Sequence, residues 1–196
     1  MSAPNIPPPP PLPGLIVPLA DGRPPPLPPS VPLDGPPGAF LLELITANGH
    51  PFKDHWSYFV GSREHPDIGV VVHATGDVAS GFRLEAKRGF NLREPGNSPS
   101  TRTPLQWLEG RHVDEHAVLN HGVLAFDAVP VGAWEESLHK VNAPGKTLNT
   151  VGDGSAAGKK VTQRNCQSWI IESADQLVAD GMLSPDIAAY LHAIEQ

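Results

Sequence analysis

Cys166 is the only cysteine of the chain, and it stands at the start of an apolar segment. The first turn of a helix offers unpaired backbone N–H groups and a partial positive charge, which favour a thiolate over a thiol. Asn165, directly before the cysteine, is of a type that caps helices. Apolar residues recur at helical spacing after it: Trp169, Ile170, Ala174, Leu177 and Val178. We therefore expect Cys166 in the first turn of a helix, either as a nucleophile or as a small buried side chain.

A cysteine nucleophile needs a base within hydrogen-bond reach and a third group that orients the base. His55 and His73 are candidates for these two roles, because each lies in an apolar run typical of a strand, residues 55–61 and 68–74. The two runs predict an antiparallel hairpin that is covered on both faces. We expect both imidazoles to project from this hairpin toward the cysteine helix.

The remaining elements predict an α+β domain, in which an antiparallel sheet carries the cysteine helix. Further strands are expected at residues 40–45, 81–92, 105–109 and 123–129. Helical segments are expected at residues 114–120, 134–141 and 185–195, the last with Ser184 as N-cap and Pro185 at its first position. Gly181 is expected to end the cysteine helix. Long loops are expected at residues 93–104 and 142–160.

Residues 1–38 form a proline-rich tail ahead of the predicted domain, residues 39–196. The tail holds 16 of the 24 prolines and almost no charge. Such a composition favours an extended or disordered polyproline II segment. The tail is either a spacer packed on its own domain or a ligand for a proline-binding module.

Composition excludes several classes of protein. A formal net charge of −7 does not suit a nucleic-acid binder, which needs clustered lysine and arginine. A lone cysteine excludes an internal disulfide framework and favours a reducing compartment. The sequence has no run apolar enough for a membrane span and no recognisable signal peptide. We expect a soluble cytoplasmic protein.

Three histidines, His112, His116 and His121, surround two acidic residues, Asp114 and Glu115. A histidine pair four residues apart on a helix can bind a metal ion. Glu115 does not occupy the position that the His-Glu-x-x-His motif gives its glutamate, and the segment is not convincingly amphipathic. We therefore expect neither a metal site nor an organic cofactor.

Three short blocks together resemble a known family. They are His-Trp-Ser-Tyr-Phe-Val-Gly at residues 55–61, Val-Val-His at 71–73, and Asn-Cys-Gln at 165–167 followed by an apolar helix. The order is similar to that of the circularly permuted NlpC-type papain-like proteins, and most similar to the lecithin:retinol acyltransferase-like branch. The permuted deSUMOylating peptidases share an Asn-Cys helix start but lack the tryptophan of the first block.

The resemblance implies a permuted papain-like fold with Cys166 as nucleophile, His55 as general base and His73 as the group that orients the base. It also implies a thioester acyl-enzyme. The chain departs from the branch in three ways: Gln167-Ser168-Trp169 replaces Glu-His-Phe, the segment between the histidines is longer, and no hydrophobic C-terminal anchor is found. These departures do not favour a phospholipid substrate.

The sequence therefore predicts a cysteine hydrolase or acyltransferase that acts on an amide, ester or thioester, with a small molecule or peptide as acyl substrate. The Cys166 backbone N–H would contribute to the oxyanion hole, with Asn165, Gln167 and Tyr58 as candidates for further support. The alternative is a catalytically inactive papain-like module that is recruited through its proline-rich tail.

Overall fold

The computed structural model describes residues 26–146 and 164–196. Most of the predicted tail, and the predicted loop beyond Lys146, lie outside the described residues. The strands are β1 (Phe40–Ala47), β2 (His55–Gly61), β3 (Ile68–Asp77), β4 (Gly81–Asn91), β5 (Thr101–Leu108) and β6 (Ala125–Asp127). The α-helices are α1 (Glu115–Leu119), α2 (Gly132–His139), α3 (Cys166–Ala179) and α4 (Pro185–Ile194).

The strands of the described ranges form one six-stranded antiparallel sheet in the order β5-β1-β2-β3-β4-β6. The predicted hairpin of β2 and β3 is confirmed, and it occupies the centre of the sheet. Its side chains are buried on both faces, which explains why its apolar run is almost unbroken in the sequence. The predicted α+β class is also confirmed.

The helices α2, α3 and α4 share one hydrophobic core with one face of the sheet. Trp134 of α2 and Trp169 of α3 are fully buried there, with Tyr58 of β2 in edge-to-face contact with both rings. Each aromatic side chain of this kind removes about 150–250 Å² of surface from water and is a large part of the core. The opposite face carries a smaller apolar cluster that includes Phe59 and Val71. The cysteine helix therefore packs on the sheet as predicted.

The predicted caps of the last two helices are confirmed. The side chain of Asn165 accepts hydrogen bonds from the first turn of α3, and Ser168 completes the capping box. Gly181 follows the end of α3 with a φ of 72°, a left-handed conformation that glycine adopts at little cost. Ser184 caps α4, and Pro185 is its first residue.

The edge of the sheet differs from the prediction. Residues 101–104 were expected in a loop, but β5 begins at Thr101, because its backbone pairs with β1. Pro104 fits there because β5 is an edge strand and the register with β1 shifts next to it. The strand expected over residues 123–129 is shorter, Ala125–Asp127, and the helix expected over 134–141 runs from Gly132 to His139.

Among the described helices, none has the length and apolar character needed to cross a membrane.

Candidate functional site

The two central strands separate at one end of the sheet, and the candidate site lies at this fork. The ladder between β2 and β3 ends at the pair Tyr58–Val72, whereas β2 begins earlier, at His55, and β3 continues to Asp77. The first residues of β2 therefore have no partner in β3. Both candidate histidines lie beyond the last pair of this ladder, where His55 pairs with Ala47 of β1 and His73 pairs with Glu85 of β4.

The structure brings the two histidines together. Nε2 of His55 lies 2.6 Å from Nδ1 of His73, and the two rings meet edge to face with centroids 4.9 Å apart. His73 is almost fully buried. Its other nitrogen, Nε2, lies 3.2 Å from Oε1 of Glu85, which stands directly opposite His73 in the ladder between β3 and β4. A continuous line of hydrogen bonds therefore joins Glu85, His73 and His55.

The carboxylate fixes the direction of this line, because an ionised Glu85 can only accept. Nε2 of His73 must then donate to Glu85, which leaves Nδ1 of His73 as the acceptor for Nε2–H of His55. In this arrangement the proton of each neutral imidazole is on Nε2. The unprotonated nitrogen at the end of the line is Nδ1 of His55, and within the described residues it has no hydrogen-bond partner.

Both imidazoles are neutral at pH 7. Burial and the nearby positive charge of Lys87 lower the pKa of His55 below its usual value. Burial, the neighbouring His55 and Lys87 lower the pKa of His73 to about 4, although the hydrogen bond to Glu85 opposes the shift. Partial burial disfavours the ionised form of Glu85, but the hydrogen bond from His73 and the nearby cations give it a lowered pKa overall. The line thus consists of a carboxylate followed by two neutral rings.

Cys166 begins α3 beside the first residues of β2. Its Sγ lies 4.0 Å from the backbone oxygen of Asp54, and the backbone N–H groups of Trp56, Gln167 and Cys166 itself face the sulfur. Burial nevertheless raises the pKa of the thiol, because its cost exceeds the stabilisation that these N–H groups provide. The expectation that the helix start lowers the pKa of this cysteine is therefore wrong, and the resting thiol is protonated at pH 7.

A cluster of amides holds the start of α3 against β2. Nε2 of Gln167 donates to the Asp54 backbone oxygen at 2.9 Å and to Oε1 of Gln196 at 3.1 Å. The backbone N–H of Gln196 returns a hydrogen bond to Oε1 of Gln167 at 3.0 Å, and Oε1 of Gln196 accepts from the Asp54 backbone at 2.9 Å. These bonds fix the helix start next to the residue that precedes His55.

The imidazoles do not project toward the body of α3, which corrects the sequence prediction. Strand alternation places His55 and His73 on the face that carries Phe59 and Val71, whereas α3 packs on the other face. The start of the helix contacts the backbone of Asp54, the residue that precedes His55. Across residues 26–146 and 164–196, neither imidazole forms a hydrogen bond with the Cys166 thiol.

The three candidates for oxyanion support have other partners. The side-chain oxygen of Asn165 caps the N–H groups of Gln167 and Ser168. Both N–H hydrogens of the Gln167 side chain are used in the amide cluster. The Tyr58 hydroxyl donates to the backbone oxygen of Ile170 at 2.9 Å in the core, and burial raises the pKa of this phenol. The backbone N–H of Cys166 is not capped by Asn165, and it is one of the three backbone N–H groups that favour the ionised form of the sulfur.

Sequence reasoning missed Glu85 and Gln196. Residues 82–87 alternate apolar and charged side chains, which puts Glu85 on the same face as Arg83 and Lys87, but only the strand register shows that Glu85 stands opposite His73. Gln196 lies two residues beyond the end of α4, and no local pattern connects it with Gln167. Register and tertiary contact would both have been needed to find these residues.

The histidines near α1 lie apart from the fork. The rings of His116 and His121 meet edge to face at 5.5 Å, but Asp114 caps α1 and Glu115 is paired with Arg63. Among the described residues, no group of three or more histidine, cysteine, aspartate or glutamate side chains is arranged to hold a metal ion.

One comparison with known proteins gave a match. Residues 42–184 match the model of a family of unknown function, DUF6540. No curated protein and no solved structure matches the chain. Since the match spans most of the chain and includes His55, His73 and Cys166, the chain belongs to this family.

Proposed function

We propose that this chain, a member of a family of unknown function, is a cysteine hydrolase or acyltransferase that acts on an amide, ester or thioester. Cys166 is the nucleophile, His55 the general base, and His73 the group that orients the base. The observation that carries this proposal is the line of hydrogen bonds from Glu85 through His73 to His55. The open end of this line is Nδ1 of His55. The backbone oxygen of Asp54, the residue before His55, contacts Sγ of Cys166.

The order of these elements supports a permuted papain-like assignment. A hairpin with one histidine on each strand precedes the helix that begins with the cysteine. This is the order of the three blocks that resemble the lecithin:retinol acyltransferase-like branch. We infer from this order a permuted papain-like fold similar to that of this branch.

The reaction begins with a neutral Cys166 thiol and a neutral His55 imidazole. As Sγ of Cys166 attacks the carbonyl carbon of the substrate, the thiol proton passes to Nδ1 of His55 and the carbonyl electron pair moves to oxygen. The backbone N–H of Cys166 donates to this oxyanion. Collapse of the tetrahedral intermediate breaks the bond to the leaving group, which takes the proton from His55 and leaves a thioester on Cys166. Water or an amine then attacks the thioester and restores the thiol.

His73 and Glu85 support the base without touching the substrate. When His55 gains a proton on Nδ1, its Nε2–H still donates to His73, and the negative charge of Glu85 stabilises the imidazolium through the intervening ring. The thiol and the imidazole come within reach when substrate binds, since catalytic hydrogen bonds often tighten only in the complex.

A second candidate, the inactive interaction module, is favoured by the resting state of Cys166. The thiol is only 7% exposed, its pKa is raised, and in the described ranges neither histidine hydrogen-bonds to it. A relic of a papain-like site would have these properties too. The two candidates differ in whether the cysteine accepts an acyl group.

Acylation of Cys166 by an activated ester separates the two candidates. Incubation with p-nitrophenyl acetate, followed by intact mass and peptide mapping, should detect one acetyl group on Cys166 in the wild type. In His55→Ala the rate of acylation should fall by about 10²–10⁴-fold, the usual contribution of a general base. The matched control is His65→Ala, because this histidine lies in the loop between β2 and β3 and is exposed. Equal acylation of the wild type and His55→Ala, or no acylation of Cys166, would favour the inactive module.

A further inference from the structure

The described part of the proline-rich tail is largely exposed, but it contacts the domain at Trp107. The indole Nε1–H of Trp107, on the edge strand β5, donates to the backbone oxygen of Pro32 at 3.0 Å. Gly35 lies directly on the same indole, because a Cβ added there would come within 2.3 Å of ring carbon Cδ2. Ser184 and Ile187 of the α4 region border the groove that the tail follows. We call this surface the Trp107 groove.

The contacts in this groove are those by which proteins recognise extended proline-rich segments. A polyproline II backbone makes no internal hydrogen bonds, so its carbonyl oxygens remain available to a donor such as an indole N–H. Aromatic grooves use this property to bind proline-rich ligands. The leucine of the docked segment contributes little, because Leu33 is 97% exposed. Recognition therefore rests on the Pro32 carbonyl and on the close approach of Gly35.

The docked segment has a near-repeat further upstream in the sequence. Residues 31–37 read Val-Pro-Leu-Asp-Gly-Pro-Pro, and residues 17–25 read Val-Pro-Leu-Ala-Asp-Gly-Arg-Pro-Pro. The upstream copy contains all seven residues of the docked copy in the same order, with Ala20 and Arg23 inserted. Pro18 corresponds to Pro32 and Gly22 to Gly35. The proline and the glycine that contact Trp107 therefore each have a counterpart in the upstream copy.

Of the two inserted residues, only Ala20 falls between the positions that correspond to Pro32 and Gly35, and there the docked copy faces solvent. Between Pro32 and Gly35 the chain passes through Leu33 and Asp34, and both are exposed. An additional residue at this place can bulge outward without entering the groove. The insertion of Ala20 thus leaves the two contacts with Trp107 available.

We propose that the Trp107 groove is a proline-motif recognition site with two alternative occupants in the same chain, residues 31–37 and the upstream copy, residues 17–25. The docked copy holds the groove because it is tethered close to it, only a few residues before β1, which gives it a high effective concentration. The upstream copy takes its place when the docked copy is displaced.

Hydrogen exchange of the Trp107 indole proton tests this proposal in the full-length chain. The resonance is assigned with Trp107→Phe, and exchange is measured in the wild type, Gly22→Ala, Gly35→Ala and the double variant. Gly35→Ala introduces the Cβ that collides with the indole, whereas Gly145→Ala, the matched control, places a methyl group in open space. Circular dichroism of each variant confirms that the fold is retained.

If the two copies exchange, Gly22→Ala and Gly145→Ala leave the exchange rate unchanged. Gly35→Ala stays within about threefold of the wild type, because residues 17–25 replace residues 31–37, and the double variant exchanges at least about tenfold faster. The proposal is overturned if Gly35→Ala alone exchanges as fast as the double variant. It is also overturned if the double variant remains as protected as the wild type. Protection of Gly35→Ala that depends on protein concentration would overturn the assignment to one chain.

Discussion

Strand β4 carries two polar clusters only three residues apart, and they are built in opposite ways. At Arg88 the cluster is closed: Nη1 and Nη2 bind the two carboxylate oxygens of Glu135 at 2.8 and 2.7 Å, Nε binds Asp127 at 3.2 Å, and Nη2 also binds the Val129 backbone oxygen. At Glu85 the cluster is open, because the line through the two histidines ends on an imidazole nitrogen without a partner in the described residues.

The difference separates a structural role from a chemical one. The closed cluster joins β4 to β6 and α2 by pairing the Arg88 guanidinium with two carboxylates, so its ionised groups are engaged with one another. The open cluster keeps two neutral imidazoles in line behind one carboxylate, and their lowered pKa values place protonation below pH 7. We expect substitutions in the first cluster to change stability and those in the second to change reactivity.

Arg88→Met should have the largest effect on stability. Removing one partner of a buried ion pair leaves Glu135 charged and uncompensated, which costs about 3–5 kcal/mol. The matched control is Arg83→Met, because Arg83 pairs with Glu85 at a side chain that is 75% exposed and should change stability by less than about 1 kcal/mol. Urea unfolding followed by circular dichroism measures both. Similar losses in the two variants would contradict the distinction between the clusters.

The open cluster should make stability depend on pH in a predictable window. In the folded state His73 has a pKa of about 4, below the ordinary value of 6.5 that it has when unfolded. Between these values the unfolded chain binds the extra proton, so stability falls as the pH falls from 6.5 toward 4, by up to about 1.4 kcal/mol per pH unit.

His73→Gln removes this titrating group, and its unfolding free energy should therefore change less between pH 6.5 and 5 than that of the wild type. Urea titrations at the two pH values measure the slope. His65→Ala, a change at an exposed histidine, provides the control and should retain the wild-type slope. An unchanged slope in His73→Gln would show that the His73 imidazole does not carry the pH dependence.

Glu85→Gln should have a smaller effect, on reactivity rather than on stability. The amide oxygen can still accept from His73, but the negative charge that stabilises a protonated His55 is lost. We expect acylation of Cys166 to slow by about tenfold, the equivalent of 1.4 kcal/mol, and the pKa of His55 to fall further. The matched control is Glu94→Gln, at an exposed glutamate outside the line. A pH–rate profile with an unchanged midpoint would contradict a role for Glu85 in positioning and charge.

The hairpin could be predicted from the apolar runs around His55 and His73. The cysteine helix could be predicted from the Asn165-Cys166 helix start, because both signals are local in the sequence. The opposition of His73 and Glu85 could not, because alternation assigns a face but not a register. The raised pKa of Cys166 was missed for a related reason: a helix start is visible in sequence, and the burial that outweighs it is not.

The repeat in the tail shows the same limit of local patterns. Two copies of Val-Pro-Leu with Asp-Gly and Pro-Pro stand among many other prolines, and insertions at Ala20 and Arg23 change their spacing. Only the contact of Pro32 and Gly35 with Trp107 identifies the residues that matter. The contacts with Trp107 therefore distinguish this repeat from the other proline-rich stretches of the tail.

The most direct test of the central claim is the pH dependence of Cys166 alkylation by iodoacetamide in the wild type and His55→Ala, read by intact mass. If the neutral imidazole of His55 is the base for a neutral thiol, the rate of alkylation in the wild type should rise with pH in two separate limbs. The first follows deprotonation of His55 below pH 6.5, and the second follows ionisation of the buried thiol at a pKa above its ordinary value. His55→Ala should lose the first limb and keep the second. Superimposable profiles of the two proteins would contradict the assignment of His55 as the base.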